Sequence, residues 1–152
     1  MNARMKHPAM IVPDAMQAVL AVGAAVNKSD VPQRTLTLMQ LRASQINGCG
    51  YCVDMHAREL RTDGDSEDRI SAVAAWRDTP FFTDAERAAL ALTEAATRIA
   101  DRGDPVDDAT WAEAARHYDE RSLGALVVNI GLINLWNRLN VTTRQVAAGR
   151  SR

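Results

Sequence analysis

Apolar residues in this chain recur at steps of three and four, and no stretch alternates apolar with polar residues for long enough to argue for a strand. Capping residues and breakers divide the periodic pattern into helices. Asp14, with Pro13 before it and Gln17 three residues on, reads as the cap of a first helix carrying Met16, Val19, Leu20, Val22 and Val26. Asn27 to Asp30 breaks it. Pro32 suits the first turn of a second helix bearing Leu36, Met39, Leu41, Ala43 and Ile46. Asn47-Gly48 interrupts that helix, and a third runs from about Cys49 to Arg61, ending near Gly64. Ser66 caps a fourth with Ile70, Val73 and Trp76, stopped at Asp78-Thr79-Pro80. Thr83 to Glu86 has the form of a capping box and opens a fifth through Leu90, Leu92 and Ala95. Beyond Gly103-Asp104-Pro105, Asp107 or Asp108 caps a short helix containing Trp111. Asp119 caps a long last one, from Ser122 to about Asn140. The expectation is one all-α domain of about seven helices spanning residues 1–152, with flexible ends at 1–10 and 146–152.

The 152 residues fit one domain, and 47% hydrophobic with 24% charged residues is the balance of a soluble globular protein. A net charge of −1 gives no reason to expect nucleic acid. The short basic tail of Arg144, Arg150 and Arg152 is too weak a patch to change that. The longest apolar run, Ala18 to Val26, is far short of the ~18 residues of a membrane helix, so no membrane is expected. No signal peptide is legible at the N-terminus. The expected compartment is the cytoplasm, where thiols stay reduced. Two cysteines there read as catalytic, redox or metal-binding groups rather than a structural staple.

Both cysteines and one of the three histidines fall in one short stretch. Cys49, Cys52 and His56 stand at i, i+3 and i+7, which puts all three on one face of a helix. Cysteines three apart can be bridged at the first turn of a helix. The partial positive charge of that helix N-terminus favours thiolate over thiol. His56, one turn beyond Cys52, can accept its proton or stabilise the thiolate. Such a dithiol is suited to attack a peroxide oxygen or a disulfide, passing through a sulfenic acid that the second cysteine resolves. Two other readings stand beside this one. A zinc site would find three ligands but no second CxxC and no HxxxH. Two inert buried cysteines would need no histidine in step with them.

Leu41-Arg42-Ala43-Ser44-Gln45-Ile46-Asn47-Gly48-Cys49, followed by Tyr51-Cys52-Val53-Asp54-Met55-His56, resembles the core motif of the AhpD-like alkylhydroperoxidases of the carboxymuconolactone decarboxylase superfamily. Ala75 to Arg77, Pro80 to Thr83, Glu86 to Ala95 and Ile133 to Asn140 extend the resemblance over about residues 10–145. It implies an all-helical, homo-oligomeric protein that reduces organic hydroperoxides with electrons from a lipoyl-carrying or thioredoxin-like thiol partner. No cofactor or metal is called for. By motif position Cys52 attacks the peroxide, Cys49 is the more exposed resolving cysteine, and His56 belongs to the proton relay. The resemblance departs at Thr37, where the pattern has a glutamate twelve residues before the first cysteine. Threonine cannot act as a base near neutral pH. Gln40, Glu86 and Glu94 are the candidates to rebuild the relay, the two carboxylates reading more simply as capping or surface residues. The departure also opens an alternative function, a non-enzymatic redox-sensing or partner-binding oligomer with weakened peroxidase activity.

Trp76, Trp111 and Trp136 read as core or interface anchors. Asn134, Asn137, Arg138 and Asn140 form a polar stripe, read first as a buried hydrogen-bond network and second as a wall of the active site. Tyr51 could shape access to the cysteines. His7, before Pro8, reads as solvated.

Overall fold

The computed structural model describes residues 2–101 and 103–147 of the chain. Among them the fold is all-α. It comprises α1 (Pro8–Ile11), α2 (Ala15–Val26), α3 (Gln33–Ile46), α4 (Gly50–Thr62), α5 (Glu67–Ala72), α6 (Asp84–Thr97), α7 (Asp108–His117) and α8 (Glu120–Thr143). Two 3-10 segments, Val73–Asp78 and Ile99–Asp101, follow α5 and α6.

Helix α3 is apolar on two sides, and the domain is built around it. Leu36 and Met39 pack with Val26, Leu92, Leu126 and Ile130 into one cluster. Leu38 and Leu41 point the other way, into a second cluster with Leu60, Val73, Trp76 and Leu90. Each such side chain contributes roughly 1.5–3 kcal/mol on leaving water, so α3 ties together two clusters that each stabilise the fold.

Several helix ends follow the sequence signals. Thr83 and Glu86 close a reciprocal capping box, and Ser66, Asp107 and Asp119 each accept a backbone N–H of the first turn. Others differ. Asp14 stands before α2 with left-handed angles (φ 62°), and its side chain makes no capping bond. Pro32 is the residue before α3 rather than within its first turn. The expected fourth helix gives way at Val73 to 3-10 geometry, and Ala75 leaves the helical region altogether (φ −124°, ψ 34°). That kink swings Trp76 into the core, where it is 5% exposed. Trp111, by contrast, is 44% exposed.

The short helix α1 was not among the expected elements. It is a single turn with Pro8 at its start, capped by His7 Nδ1, which accepts from the Ala9 N–H at 3.2 Å. Arg4 N–H donates to the Thr143 carbonyl at 2.8 Å, so the segment before α1 lies against the end of α8. Of the expected flexible ends, residues 1 and 148–152 lie outside the described residues, and with them Arg150 and Arg152. No helix among the described residues is long and apolar enough to cross a membrane.

Glu94 of α6 is the electrostatic centre of one end of the bundle. Its carboxylate accepts from Arg42 Nε at 2.6 Å, from Trp76 Nε1 at 3.1 Å and from Arg77 Nη1. It is therefore a buried tie between α3, the 3-10 segment and α6, not a surface residue. Burial alone pushes this carboxyl up, but the bonds from Arg77, Arg42 and Trp76 outweigh it, and its pKa lies below the ordinary glutamate value. A depressed pKa stabilises the fold above the unfolded value of ~4.3, and that stability is lost as pH falls through the lower folded value. Glu94→Gln should cost about 3 kcal/mol, because Arg42 is left buried without its counter-charge. Urea unfolding at neutral pH should show the loss, and the gap between variant and wild type should narrow in acid below the glutamate range.

Candidate active site

The site begins at the turn between α3 and α4. Asn47 ends α3, and Gly48 takes left-handed angles (φ 66°) that a side chain would resist. The Cys49 N–H bonds to the Ser44 carbonyl at 3.0 Å and the Gly48 N–H to Gln45 at 3.3 Å, the paired closure of a Schellman motif. The Asn-Gly pair thus ends one helix and delivers Cys49 directly to the cap of the next. Cys49 Sγ accepts from the Cys52 N–H at 3.4 Å. Both sulfurs lie at the N-terminal turn of α4, where unpaired N–H groups favour negative charge on sulfur. The two cysteines form a disulfide, with Cα atoms 5.4 Å apart.

Both cysteines are buried, Cys49 at 2% and Cys52 at 0% exposure, yet they face different spaces. Cys52 lines a cavity of about 520 Å³ beneath α1 and α2, with His56, Tyr51, Met55 and Glu59 from α4 and Leu132, Ile133, Trp136 and Asn140 from α8. Cys49 lines a groove of about 190 Å³ beside Gly48, Gly50, Val141 and Arg144. Asn140 stands in the wall of both. Its Nδ2 donates to Cys52 Sγ at 3.3 Å.

His56 sits one turn beyond Cys52 and is 5% exposed. Its Nδ1 lies 3.2 Å from Glu59 Oε2. A carboxylate on Nδ1 holds the proton on that nitrogen and leaves Nε2 with its lone pair free. Nε2 is buried without a hydrogen-bond partner, and so is Asn140 Oδ1. Buried polar atoms without partners are uncommon, and two on residues that line the cavity of Cys52 mark a place built to receive a polar group.

The structure therefore brings Cys49, Cys52 and His56 together. It does not bring Glu86 or Glu94 to them. Glu86 is held by Arg69 and by the Thr83 cap. Thr37 is fully buried and its hydroxyl donates to the Gln33 carbonyl within α3 at 3.1 Å. Gln40 reaches the cavity wall, where its Nε2 donates to Asn129 Oδ1 at 2.7 Å. Glu59 was not among the expected residues, although its place three residues after His56 on one helix was the signal for it. His7 also lines the cavity rather than facing solvent, its ring packed on Trp136 with centroids 5.5 Å apart. In the polar stripe of α8, Asn134 and Asn137 accept from Asn47 Nδ2 at 3.0 and 2.8 Å. They form the expected network, whereas Asn140 belongs to the sulfur.

A larger depression, about 880 Å³, lies among Asp30, Asp63, Glu86, His117 and Tyr118 and shares Gln33 of α3 with the Cys52 cavity. Neither cysteine lines it, and two of its charged groups are engaged elsewhere: Glu86 with Arg69, His117 with Glu113. Among the described residues, no three His, Cys, Asp or Glu side chains gather as a metal site requires.

The carboxymuconolactone decarboxylase family model matches residues 13–95. The uncharacterized protein YdfG of Bacillus subtilis is 34% identical over 140 residues, 92% of this chain and 94% of that protein. YnjA of Escherichia coli, also uncharacterized, is 38% identical over 104 residues, 68% of this chain and 56% of its own length. A crystal structure from Agrobacterium tumefaciens, of a protein of unknown function provisionally placed with the antioxidant-defence protein AhpD, has a TM-score of 0.90 at 38% identity and covers 98% of this chain and 100% of that one. The debrominase Bmp8 shares the fold, with a TM-score of 0.80 at 21% identity over 90% of this chain and 73% of its own.

A hydrogen bond to a charged sulfur is worth roughly 1.5–3 kcal/mol, and one pKa unit is about 1.4 kcal/mol. Asn140→Ala should therefore raise the Cys52 thiol pKa of the reduced protein by about one unit. Thiolate absorbance against pH, in a Cys49→Ser background, measures it. An unchanged pKa would show that the amide does not hold the thiolate.

Proposed function

Because the chain belongs to the carboxymuconolactone decarboxylase family, in its AhpD-like part, we propose that it is a thiol-dependent peroxidase that reduces organic hydroperoxides through Cys52 and Cys49. The observation that carries this reading is the convergence of three features on one sulfur. Cys52 lies at a helix N-terminus, receives an amide N–H from Asn140, and shares a cavity with a histidine whose Nε2 is unpartnered.

In the reduced protein His56 Nε2 takes the Cys52 proton. The thiolate attacks the terminal hydroperoxide oxygen, forming an S–O bond as the O–O bond breaks. The departing alkoxide takes the proton from the His56 imidazolium and leaves as an alcohol. Cys52 is then a sulfenic acid. The Cys49 thiol gives up its proton as its sulfur attacks Cys52, the S–S bond forms, and hydroxide leaves as water. The two electrons that reduce the peroxide come from the dithiol. An external dithiol, a lipoyl or thioredoxin-like partner, restores them by exchange.

Glu59 fills, on this reading, the role that Thr37 cannot. It does not touch the reacting atoms but fixes the His56 ring and the proton on Nδ1, which makes it a positioning residue. Homo-oligomerisation is supported by Val127, Val128, Leu135 and Val141, which leave 41–47% of their surface exposed along α8.

Loss of free thiols on mixing reduced protein with cumene hydroperoxide should be fast and should consume two thiols per chain. Cys52→Ser should abolish it. Thiol loss no faster than that of free cysteine would favour the non-enzymatic redox-sensor reading. Glu59→Gln should lower the rate about 10- to 100-fold, by analogy with the carboxylates that orient metal-bound histidines. A purely structural role for Glu59 would lower stability without altering the pH profile, whereas the positioning role shifts its histidine limb.

A further inference from the structure

The walls of the Cys52 cavity have a charge pattern that the peroxidase reading does not use. Among the described residues that line it there is no lysine and no arginine. Its far walls are apolar, with Met16, Leu20 and Val26 from α2 facing Leu132, Ile133 and Trp136 of α8. Its buried end, with Cys52, presents two polar atoms without partners. Asn140 donates its amide N–H to Cys52, so the unpartnered atom it keeps is the carbonyl oxygen. His56 keeps a lone pair at Nε2 because its Nδ1 proton is held by Glu59. The Glu59 carboxylate lies in the same wall.

The volume, about 520 Å³, is that of an ordinary small-molecule site and many times the ~30 Å³ that a water-sized peroxide occupies. In the reduced protein, where His56 Nε2 holds the Cys52 proton, a hydroperoxide placed there offers its O–H to the Asn140 carbonyl oxygen, accepts from Nε2–H at its alkyl-bearing oxygen, and sets an apolar body against the aliphatic and aromatic walls. A carboxylate offers acceptors only. Inside the cavity it must shed water, finds no lysine or arginine in the walls, and meets a His56 imidazolium already paired with the Cys52 thiolate and with Glu59.

We propose that this cavity selects neutral, compact, apolar hydroperoxides and rejects those carrying a carboxylate. The inference rests on the peroxidase reading and adds the substrate's charge to it.

The test uses three hydroperoxides that differ at one position: cumene hydroperoxide, its para-carboxylate, and the methyl ester of that acid. The carboxylate is too close to the reacting oxygens to stay in solvent while the O–O bond reaches Cys52. Second-order rates of thiol loss are measured with the reduced full-length protein. The ester should react at least about tenfold faster than the carboxylate, a preference of about 1.4 kcal/mol. Leu20 is 58% exposed at the rim of the cavity, so Leu20→Arg leaves the core intact. It should raise the carboxylate rate roughly threefold or more, whereas Leu20→Gln should not. Equal rates for ester and carboxylate in the wild type would overturn the inference, as would a Leu20→Arg protein that still discriminates as the wild type does. If none of the three outpaces reaction with free cysteine, the peroxidase reading itself falls and takes the selectivity with it.

Discussion

A row of asparagines on the inner side of α8 sets the register of everything around the cysteines. Asn129 donates to the Leu36 carbonyl at 3.1 Å, Asn137 to Ser44 Oγ at 3.0 Å, and Asn140 to Cys52 Sγ at 3.3 Å. Apolar packing between α3 and α8 would tolerate small slides, because dispersion contacts carry little direction. Buried amides do not, since each one left unpaired costs roughly 1–3 kcal/mol. The pairing of α8 with α3 is fixed at two levels, and a third bond, to Cys52 of α4, reaches the sulfur. The same helix that completes the core therefore decides what Cys52 feels.

The division of labour within α4 follows from helical spacing. Cys49, Cys52, His56 and Glu59 fall at steps of three and four, so one face carries both sulfurs, the imidazole and its carboxylate. A carboxylate on the preceding helix would depend on how two helices pack. Glu59 depends only on the local geometry of one, which is stiffer. On the proposed reading the relay is thereby moved from a tertiary contact to a secondary one.

Much of this was legible in the chain. The Asn47-Gly48 pair, the Thr83 capping box and the cysteine spacing each obey local rules that no distant residue can override, and each stands where the sequence placed it. What the sequence hid depends on three-dimensional neighbours. Glu94 reads as a surface residue until Arg42 and Trp76, far from it in sequence, close around it. His7 reads as solvated until Trp136 comes up beneath it. The kink at Ala75 carries no proline or glycine of its own, and α1 is too short to show a period. Asn140 could be placed in a polar stripe but not assigned to a sulfur, because a stripe does not say which of its members meets which partner.

The disulfide is the partition between two compartments. Cys52 looks into the cavity and Cys49 into the groove by Arg144, with Asn140 common to both. On the proposed reading an oxidant and a reductant would each have a private doorway, and neither would have to vacate before the other arrived. Exchange chemistry favours the same arrangement. A thiol attacking Cys49 expels Cys52, the sulfur whose thiolate the helix terminus and Asn140 stabilise, and the better-stabilised thiolate is the better leaving group. A catalyst built this way would show ping-pong kinetics without the usual mutual exclusion, in which a surplus of one partner blocks the other. It would keep working when either partner is abundant.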